Sequence, residues 1–257
     1  TDARALLLQV AEAAESRFAA YAMNHLGAIA QRAGDNAAAA QWFEQAAEAG
    51  GEALRLEASV GRARALLAEG RNDEAGAAFD EIATAADDAA QATTARASAI
   101  VALSRAGGHE EAVRRFDELD RRGVARLEPK LRSSVRYEHA WSLRQLGRAG
   151  DAADAYRALL ADAPDPALAP YATLDLASIH REAGQWQEAT NLLAPMVDAG
   201  APADALERAR YQLGACALQL GDHEAVVRWL GGFHRDFEQS DLAASADLLC
   251  AEALMKL

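Results

Sequence analysis

The side chains best able to carry out chemistry in this chain are its histidines and cysteines, and their spacing matches no catalytic or metal-binding pattern. The sequence holds two cysteines and six histidines: His25, His109, His139, His180, His223 and His234. A zinc site on a helix needs ligands at i, i+3 or i+4, or two closely spaced cysteines, and no histidine pairs in that way. The nucleophile elbow, the phosphate-binding loop and the dinucleotide-binding glycine motif do not occur either. We therefore expect no enzymatic activity, no cofactor and no metal site.

The elements that would position any functional residue are set by six regularly spaced glycines. They are Gly34, Gly70, Gly107, Gly147, Gly184 and Gly221, separated by 36, 37, 40, 37 and 37 residues. A period of this size indicates a stacked repeat. Each glycine stands between two runs rich in alanine and leucine, which predicts a helix, a tight turn and a second helix. Glycine can adopt the positive φ of the turn, and a nearby Asp or Asn can cap the second helix.

Phasing the chain on these glycines predicts about fourteen helices in a single array over residues 1–257. The first helices fall near 18–33, 54–69, 92–106, 129–146, 169–183 and 205–220. The second helices fall near 36–49, 73–86, 109–122, 150–162, 186–199 and 223–236. Half-repeats at 1–17 and 241–257 supply one further helix each, at 3–16 and 241–257. Because both ends are half-repeats, we expect the chain to be a fragment of a longer one.

Two features interrupt the regular pattern. The spacing of 40 places extra residues at 121–132, where Glu128-Pro129 predicts the start of a longer helix because proline suits a first turn. Pro195 falls inside a predicted second helix and should break or kink it near Leu193-Ala194. The final helix carries Leu248, Leu249, Ala253 and Leu254, so we expect one of its flanks to lack cover.

The formal net charge of −13 argues against partners that need a basic surface. We therefore do not expect nucleic acid or an anionic membrane as a partner. The sequence has no apolar run of about 18 residues, so we expect no insertion into a membrane. Residues 93–148 are the one basic stretch. Much of it is explained by pairs with the acid first at i, i+4: Glu110 with Arg114, Glu111 with Arg115, Asp117 with Arg121 and Glu118 with Arg122. Arg126, Lys130, Arg132 and Arg136 lack such partners and stay candidates for a docking patch.

The repeat resembles the tetratricopeptide repeat (TPR) family. The residues that carry the resemblance are Leu26-Gly27, Gly34, Ala39, Phe43 and Ala46; Ala140, Leu143, Gly147, Ala152, Tyr156, Leu159 and Pro164; and Leu213-Gly214, Ala217 and Gly221. The period of 36–37 exceeds the usual 34, and the first-helix tryptophan position holds Met23, Ser59, Arg96, Arg136, Thr173 and Arg210. These departures suggest a divergent bacterial type. Residues 165–172 and 237–244 look like the inter-repeat blocks of bacterial cell-envelope TPR proteins, which favours the envelope or periplasm over the cytoplasm.

The resemblance implies an all-α, right-handed solenoid of antiparallel helix pairs that acts as a protein-binding scaffold. In that family the first helices line the concave face, which binds a peptide or an extended protein segment. From the fourth unit onward the corresponding positions become rich in aromatic residues and arginine, which are enriched at binding hot spots. The candidate partner-binding residues are Tyr137, Trp141, Arg144, Tyr171, Arg181, Arg208 and Tyr211. A second reading remains open, in which Tyr137 and Trp141 simply pack on each other and on a neighbouring helix.

Three further alternatives stay open at this stage. The chain could instead be a regulatory or oligomerisation module of a larger signalling or envelope protein, and it could form a homo-oligomer. Cys216 and Cys250 stand 34 residues apart, at nearby inward positions of adjacent first helices. They could be two reduced core thiols or, in an oxidising compartment, a disulfide.

Overall fold

The computed structural model describes residues 2–13, 18–162 and 164–257 of the chain. Every regular element in these residues is a helix, as the repeat pattern predicts. The chain divides into two compact units, residues 1–146 and 147–257, and each is described by itself. The expectation of one continuous array over 1–257 stays a prediction.

The first unit contains eight α-helices among its described residues. They are α1 (Asp2–Glu12), α2 (Ala19–Arg32), α3 (Asn36–Ala49), α4 (Glu52–Glu69), α5 (Asn72–Ala85), α6 (Ala89–Arg105), α7 (His109–Arg122) and α8 (Pro129–Gln145). From α2 to α8 the helix ends lie within three residues of the predicted ones. The helix predicted over 3–16 ends at Glu12, and residues 14–17 lie outside the described part of the chain.

The second unit repeats the same pattern. Its helices are α9 (Ala149–Ala161), α10 (Ala169–Glu182), α11 (Trp186–Asp198), α12 (Ala203–Gln219), α13 (His223–Leu230), α14 (Phe233–Asp236) and α15 (Ala243–Lys256). The single helix predicted over 223–236 is divided by Gly231-Gly232, where Gly232 has a left-handed φ of 79°. If α13 and α14 are counted as one interrupted helix, the described helices number fourteen, as predicted.

The turns within the repeats form as the glycine spacing predicts. All six turn glycines have φ between 71° and 91°, a region that other residues rarely adopt. Capping is only partly as predicted: Asp35 accepts from the Ala38 N–H and Asp222 from the Ala225 N–H. The N-cap residues of α5, α7, α9 and α11 make no capping hydrogen bond through a side chain.

Alternating small and large residues fill the space between the helices. In five of the six second helices, an alanine near the start is buried, and the aromatic residue or leucine four residues later is buried too. The pairs are Ala39/Phe43, Ala75/Phe79, Ala112/Phe116, Ala152/Tyr156 and Ala189/Leu193. The small side chain lets the first helix approach closely, and the large one fills the gap beside it. This pairing is the packing unit of both parts of the chain.

The irregular stretch at 121–132 adds a short buried segment rather than an open loop. Gly123 has a left-handed φ of 107°, and Val124–Arg126 form one turn of 3₁₀ helix. Val124 and Leu127 are buried in the same core cluster as Phe116. Pro129 then starts α8 at its first turn, as predicted.

Of the break or kink predicted at Pro195, the break was wrong, and the kink stays a prediction. Helix α11 continues through Pro195 to Asp198. The proline removes the hydrogen bond to the carbonyl of Asn191. Asn191 and Pro195 are both exposed, so water can satisfy that carbonyl and the loss is small.

The predicted i, i+4 ion pairs of α7 form only in part. Glu111 pairs with Arg115 at 2.8 Å as predicted, but Arg114 bonds to Glu111 at 2.6 Å and lies 3.7 Å from Glu118, instead of pairing with Glu110. Arg121 donates to the backbone carbonyl of Asp117 rather than to its carboxylate. The side chain of Arg122 lies outside the described part of the structure. Arg115 also reaches Asp80 on α5 at 2.9 Å, so this face links two successive second helices.

The last helix, α15, has an exposed flank, as the sequence predicts. Leu248 and Leu254 of α15 are exposed, whereas Leu249 is half-buried and Ala253 is buried.

Both cysteines are free thiols. No helix in the described residues is long and apolar enough to cross a membrane.

Candidate functional site

In the first unit, Tyr137 and Trp141 line an open cleft of about 700 Å³. They lie four residues apart on α8, which places both half-buried rings on the same face of the helix. Leu67, at the end of α4, and Arg105, at the end of α6, contribute other walls of the cleft. Arg144 is half-buried one turn further along α8.

A buried polar network forms the floor of this cleft. Glu138 is only 6% exposed and accepts hydrogen bonds from Arg105 Nε at 2.7 Å and from Ser104 Oγ at 2.9 Å. Ser104 Oγ also lies 2.9 Å from Ser142 Oγ, which in turn lies 3.3 Å from His109 Nδ1. The buried carboxylate is therefore fully hydrogen-bonded, and it anchors Arg105, whose side chain remains 46% exposed.

These residue types could suggest a catalytic triad, but the contacts have the wrong order. In a triad the acid orients the histidine, and the histidine takes the proton of the nucleophile. Here Glu138 bonds to a serine and an arginine, and among the described residues no carboxylate forms a hydrogen bond with His109. The network can position a cleft wall, and it lacks the arrangement that activates a serine.

In the second unit, Tyr171, Arg208 and Asp204 form a polar group where α10 faces α12. The Tyr171 hydroxyl donates to Asp204 Oδ2 at 2.7 Å. This hydrogen bond raises the pKa of Tyr171 above its ordinary value and is the largest cause that lowers the pKa of Asp204. The charge of Arg208 acts on the same carboxylate and lowers the pKa of Asp204 further. All three side chains lie at least partly in solvent.

Further along the same two helices, Arg181 and Gln212 each bury a polar atom that has no hydrogen-bond partner. The atoms are Arg181 Nε and Gln212 Oε1. Gln212 Nε2 donates to Ser178 Oγ at 3.3 Å, and the Arg181 charge acts on the thiol of the buried Cys216. A buried unpaired polar atom costs about 1–3 kcal/mol, so such atoms are rare in a stable fold without a reason.

Tyr211 is placed more towards the core than the other candidates. Its ring packs edge-on against Phe233, with centroids 6.4 Å apart, and it borders the core cluster of α12, α13 and α15. The candidate residues thus fall into two groups, one in each unit. The first group is Tyr137, Trp141 and Arg144, and the second is Tyr171, Arg181, Arg208 and Tyr211.

Consecutive first helices are joined by side-chain hydrogen bonds that the sequence analysis missed. The bonded residues stand 33 or 34 positions apart: Asn24 with Glu57, Ser104 with Glu138, Tyr171 with Asp204, and Ser178 with Gln212. Of these eight residues, Tyr171 alone was among the candidate partner-binding residues. The signal that could have identified the others is the recurrence of polar residues on the first helices at a separation close to one repeat length.

Besides His109, three histidines make individual contacts, whereas the buried Nδ1 atom of His223 has no hydrogen-bond partner in the part of the chain that the structure describes. His139 stacks on Phe116 with ring centroids 4.0 Å apart, His180 Nδ1 lies 2.6 Å from Gln185 Oε1, and His234 Nδ1 lies 2.8 Å from Asp247 Oδ2. Among the described residues, no group of three or more His, Cys, Asp or Glu side chains could hold a metal ion.

No protein-family model and no curated protein matches the sequence, but solved structures match the fold. PilW, a widely conserved type IV pilus biogenesis factor, superimposes with a TM-score of 0.67 at 19% identity, over 88% of this chain and 97% of PilW. A tetratricopeptide repeat protein from Parabacteroides merdae gives a TM-score of 0.61 at 11% identity, over 99% of this chain and 100% of that one.

A third match, YrrB, is described as a TPR protein with an unusual peptide-binding site. Its TM-score is 0.56 at 17% identity, over 74% of this chain and 90% of YrrB. At these identities the similarity concerns the fold. The fold of this chain is therefore that of the TPR proteins, as the sequence resemblance predicted.

Proposed function

We propose that this chain is a non-catalytic protein-interaction module that binds an extended segment of a partner protein along the exposed side of its first helices. Proteins of the same fold include YrrB, which is described as having a peptide-binding site. The fold presents repeated first helices side by side, and their outward positions hold tyrosine, tryptophan and arginine. These residues bury a large area at a low cost in side-chain entropy.

The observation that carries the proposal is the placement of the buried polar atoms that lack partners. In the described residues there are five, of which Asn24 Oδ1, Arg181 Nε and Gln212 Oε1 lie on first helices. Each occurs beside a hydrogen bond that ties one first helix to the next. The main chain of a partner segment carries both N–H donors and C=O acceptors, which are the kinds of group that these atoms lack.

The test is selection from a displayed library of random peptides, with the purified chain as the target. Enriched peptides are then titrated against Arg181→Met and Trp141→Ala, each of which removes one polar or aromatic contact of a candidate group. We expect at least one of the two variants to weaken each peptide several-fold. Arg228→Met is the matched control, because Arg228 is exposed on the second helix α13.

Two results would contradict the proposal. One is the absence of any enriched peptide that binds the chain in solution. The other is a set of peptides that bind both first-helix variants as tightly as the parent chain. Melting temperatures of the variants separate a lost contact from a lost fold, which matters most for the half-buried Trp141.

A further inference from the structure

Helices α4, α5 and α6 of the first unit enclose a pocket of about 790 Å³ that arises from two small residues. Ser59 stands eleven residues before the turn glycine Gly70, and Ala78 stands eight after it. One repeat later, Arg96 and Arg115 hold the corresponding positions around Gly107. There the equivalent pocket is about 320 Å³. The smaller side chains therefore open a space that the next repeat fills with arginine.

A second cleft adjoins this pocket. The second cleft measures about 370 Å³, and Ala53, Leu56 and Gln91 line both spaces. We call the two neighbouring spaces together the α4 groove, because residues of α4 between 52 and 64 line both. The floor is apolar where Leu56 lies beside Ile82.

Asn24 gives the inner end of the α4 groove an unpaired acceptor. Its side chain is more than nine-tenths buried, and its Nδ2 donates to Glu57 Oε1 at 2.9 Å. An ionised carboxylate can only accept, so this contact fixes the amide with its nitrogen towards Glu57. Asn24 lines the groove, and its buried Oδ1 atom has no hydrogen-bond donor among the described residues. A donor group brought to this end by a ligand would supply the missing partner.

The charges along the α4 groove favour a cation. Three arginines line it, and one of them, Arg62, is paired with Glu44 at 3.1 Å. The five carboxylates that line the groove are those of Glu52, Glu57, Glu81, Asp87 and Asp88. Carboxylates thus outnumber guanidinium groups by two. The chain as a whole carries a formal charge of −13, which steers basic partners towards it.

We propose that the α4 groove binds a cationic stretch of the partner segment. An N–H of the segment donates to Asn24 Oδ1, the alkyl stem of a lysine or arginine packs on Leu56 and Ile82, and its charged end lies between Glu52 and Glu81. This inference rests on the proposed function and deepens it, because it gives the chemistry of the segment that one named groove accepts.

The test uses a short, end-blocked, fluorescein-labelled peptide of alternating lysine and leucine, titrated with the intact chain at physiological ionic strength. The same peptide with glutamate in place of lysine is the charge control. Fluorescence anisotropy reports binding. We expect the lysine peptide to bind and the glutamate peptide not to bind.

Two substitutions locate the binding. Ser59→Arg fills the pocket as the next repeat does, and Glu81→Lys reverses a charge at its rim; each should weaken the lysine peptide by about tenfold. The matched controls lie in the other unit. Thr173→Arg places the same residue eleven positions before Gly184, and Glu188→Lys makes the same change in net charge on an exposed site of α11. Glu81 is exposed, so Glu81→Lys keeps the test valid if Ser59→Arg does not fold.

The outcomes separate this inference from the proposed function. Failure of the lysine peptide to bind, or equal weakening by Glu81→Lys and Glu188→Lys, overturns the cationic α4 groove. Selected peptides that depend on Arg181 or Trp141 would still support the proposed function in that case. The absence of binding by every selected peptide removes the proposed function itself.

Discussion

Gly61 of α4 lies against the ring of Phe43 of α3, so closely that no side chain fits between them. A Cβ atom at residue 61 would stand 2.6 Å from Cε1 of Phe43. A Cβ atom at Gly27 of α2 would stand 2.9 Å from the same ring. Phe43 therefore contacts two glycines of consecutive first helices, and both must stay without a side chain for the ring to keep its place.

Gly61→Ala should destabilise the first unit, although alanine normally favours a helix. The added methyl group must displace a buried ring, and overpacking of this kind costs about 1–3 kcal/mol. Gly76→Ala is the matched control in α5, because its Cβ would meet only Ala102 at an ordinary 3.7 Å. That substitution should stabilise the chain by up to about 1 kcal/mol. Urea unfolding measures both, and a stabilising Gly61→Ala would contradict the close contact.

Arg210 should hold together the last repeat of the second unit. Its Nη1 lies 2.8 Å from Asp236 Oδ2, its Nε donates to the Trp229 carbonyl at 3.1 Å, and its guanidinium lies 5.4 Å from the Phe237 ring centroid. Arg210→Met removes these contacts from a side chain that is only 15% exposed. We expect a loss of about 1–3 kcal/mol and faster hydrogen exchange in α13 to α15. Arg208→Met, on the exposed side of the same helix, should change stability little.

The contribution of Arg210 should also depend on pH. The hydrogen bond from Arg210 is the largest cause that lowers the pKa of Asp236 in the folded chain. A carboxyl whose folded pKa is lowered stabilises the fold above its unfolded pKa, and this stabilisation is lost as the pH falls through the folded pKa. The difference in stability between the parent chain and Arg210→Met should therefore shrink in acid. A difference that grew as the pH fell would contradict the pairing.

Glu111 should titrate far below the ordinary pKa of a glutamate side chain. Hydrogen bonds from Arg114 and then from Arg115 lower its pKa from 4.5 to about 2. The stabilisation that these ion pairs give to the fold is therefore complete above about pH 4.5. It is lost as the pH falls towards 2. Carboxyl-detected NMR can follow this titration directly. Arg114→Ala should raise the pKa of Glu111, whereas Arg121→Ala should not, because Arg121 bonds to the Asp117 backbone.

The sequence predicts the helices well because the information that sets them is local. Gly34 and its equivalents need a left-handed φ, and Pro129 needs a first turn, so each can be assigned from its own neighbourhood. Pro195 shows the limit of the same reasoning. The proline rule is local, but the cost of the lost hydrogen bond depends on whether the Asn191 carbonyl faces water, which only the packed structure decides.

The contacts of the candidate sites could not be predicted in this way. The bonds between Ser104 and Glu138, and between Asn24 and Glu57, join residues on different helices, and they depend on the rotation of each helix and on side-chain rotamers. The sequence draws attention to Arg210 only because it stands where the first helix of the TPR motif usually has a tryptophan. Its role depends on the break at Gly231-Gly232, which turns Phe233 and Phe237 towards it.

The two cysteines give a prediction about local opening of the second unit. Cys216 of α12 is fully buried in the core cluster that α10, α11 and α12 share, and burial raises the pKa of its thiol. Cys250 of α15 is half-buried beside the core of the last repeat. Because the thiolate is the reactive form, a buried thiol with a raised pKa reacts only when the fold opens.

A thiol reagent added to the native chain in mild alkali should therefore label Cys250 quickly and Cys216 slowly. Cys250→Ala should remove the fast phase, and Cys216→Ala should remove the slow one. The slow phase should accelerate in Arg210→Met if opening of the last repeat exposes Cys216, since neighbouring repeats stabilise each other through their interfaces. Two equally fast thiols would contradict the burial of Cys216. If no thiol reacts until reductant is added, the two sulfurs are joined in a disulfide, which would contradict the two free thiols.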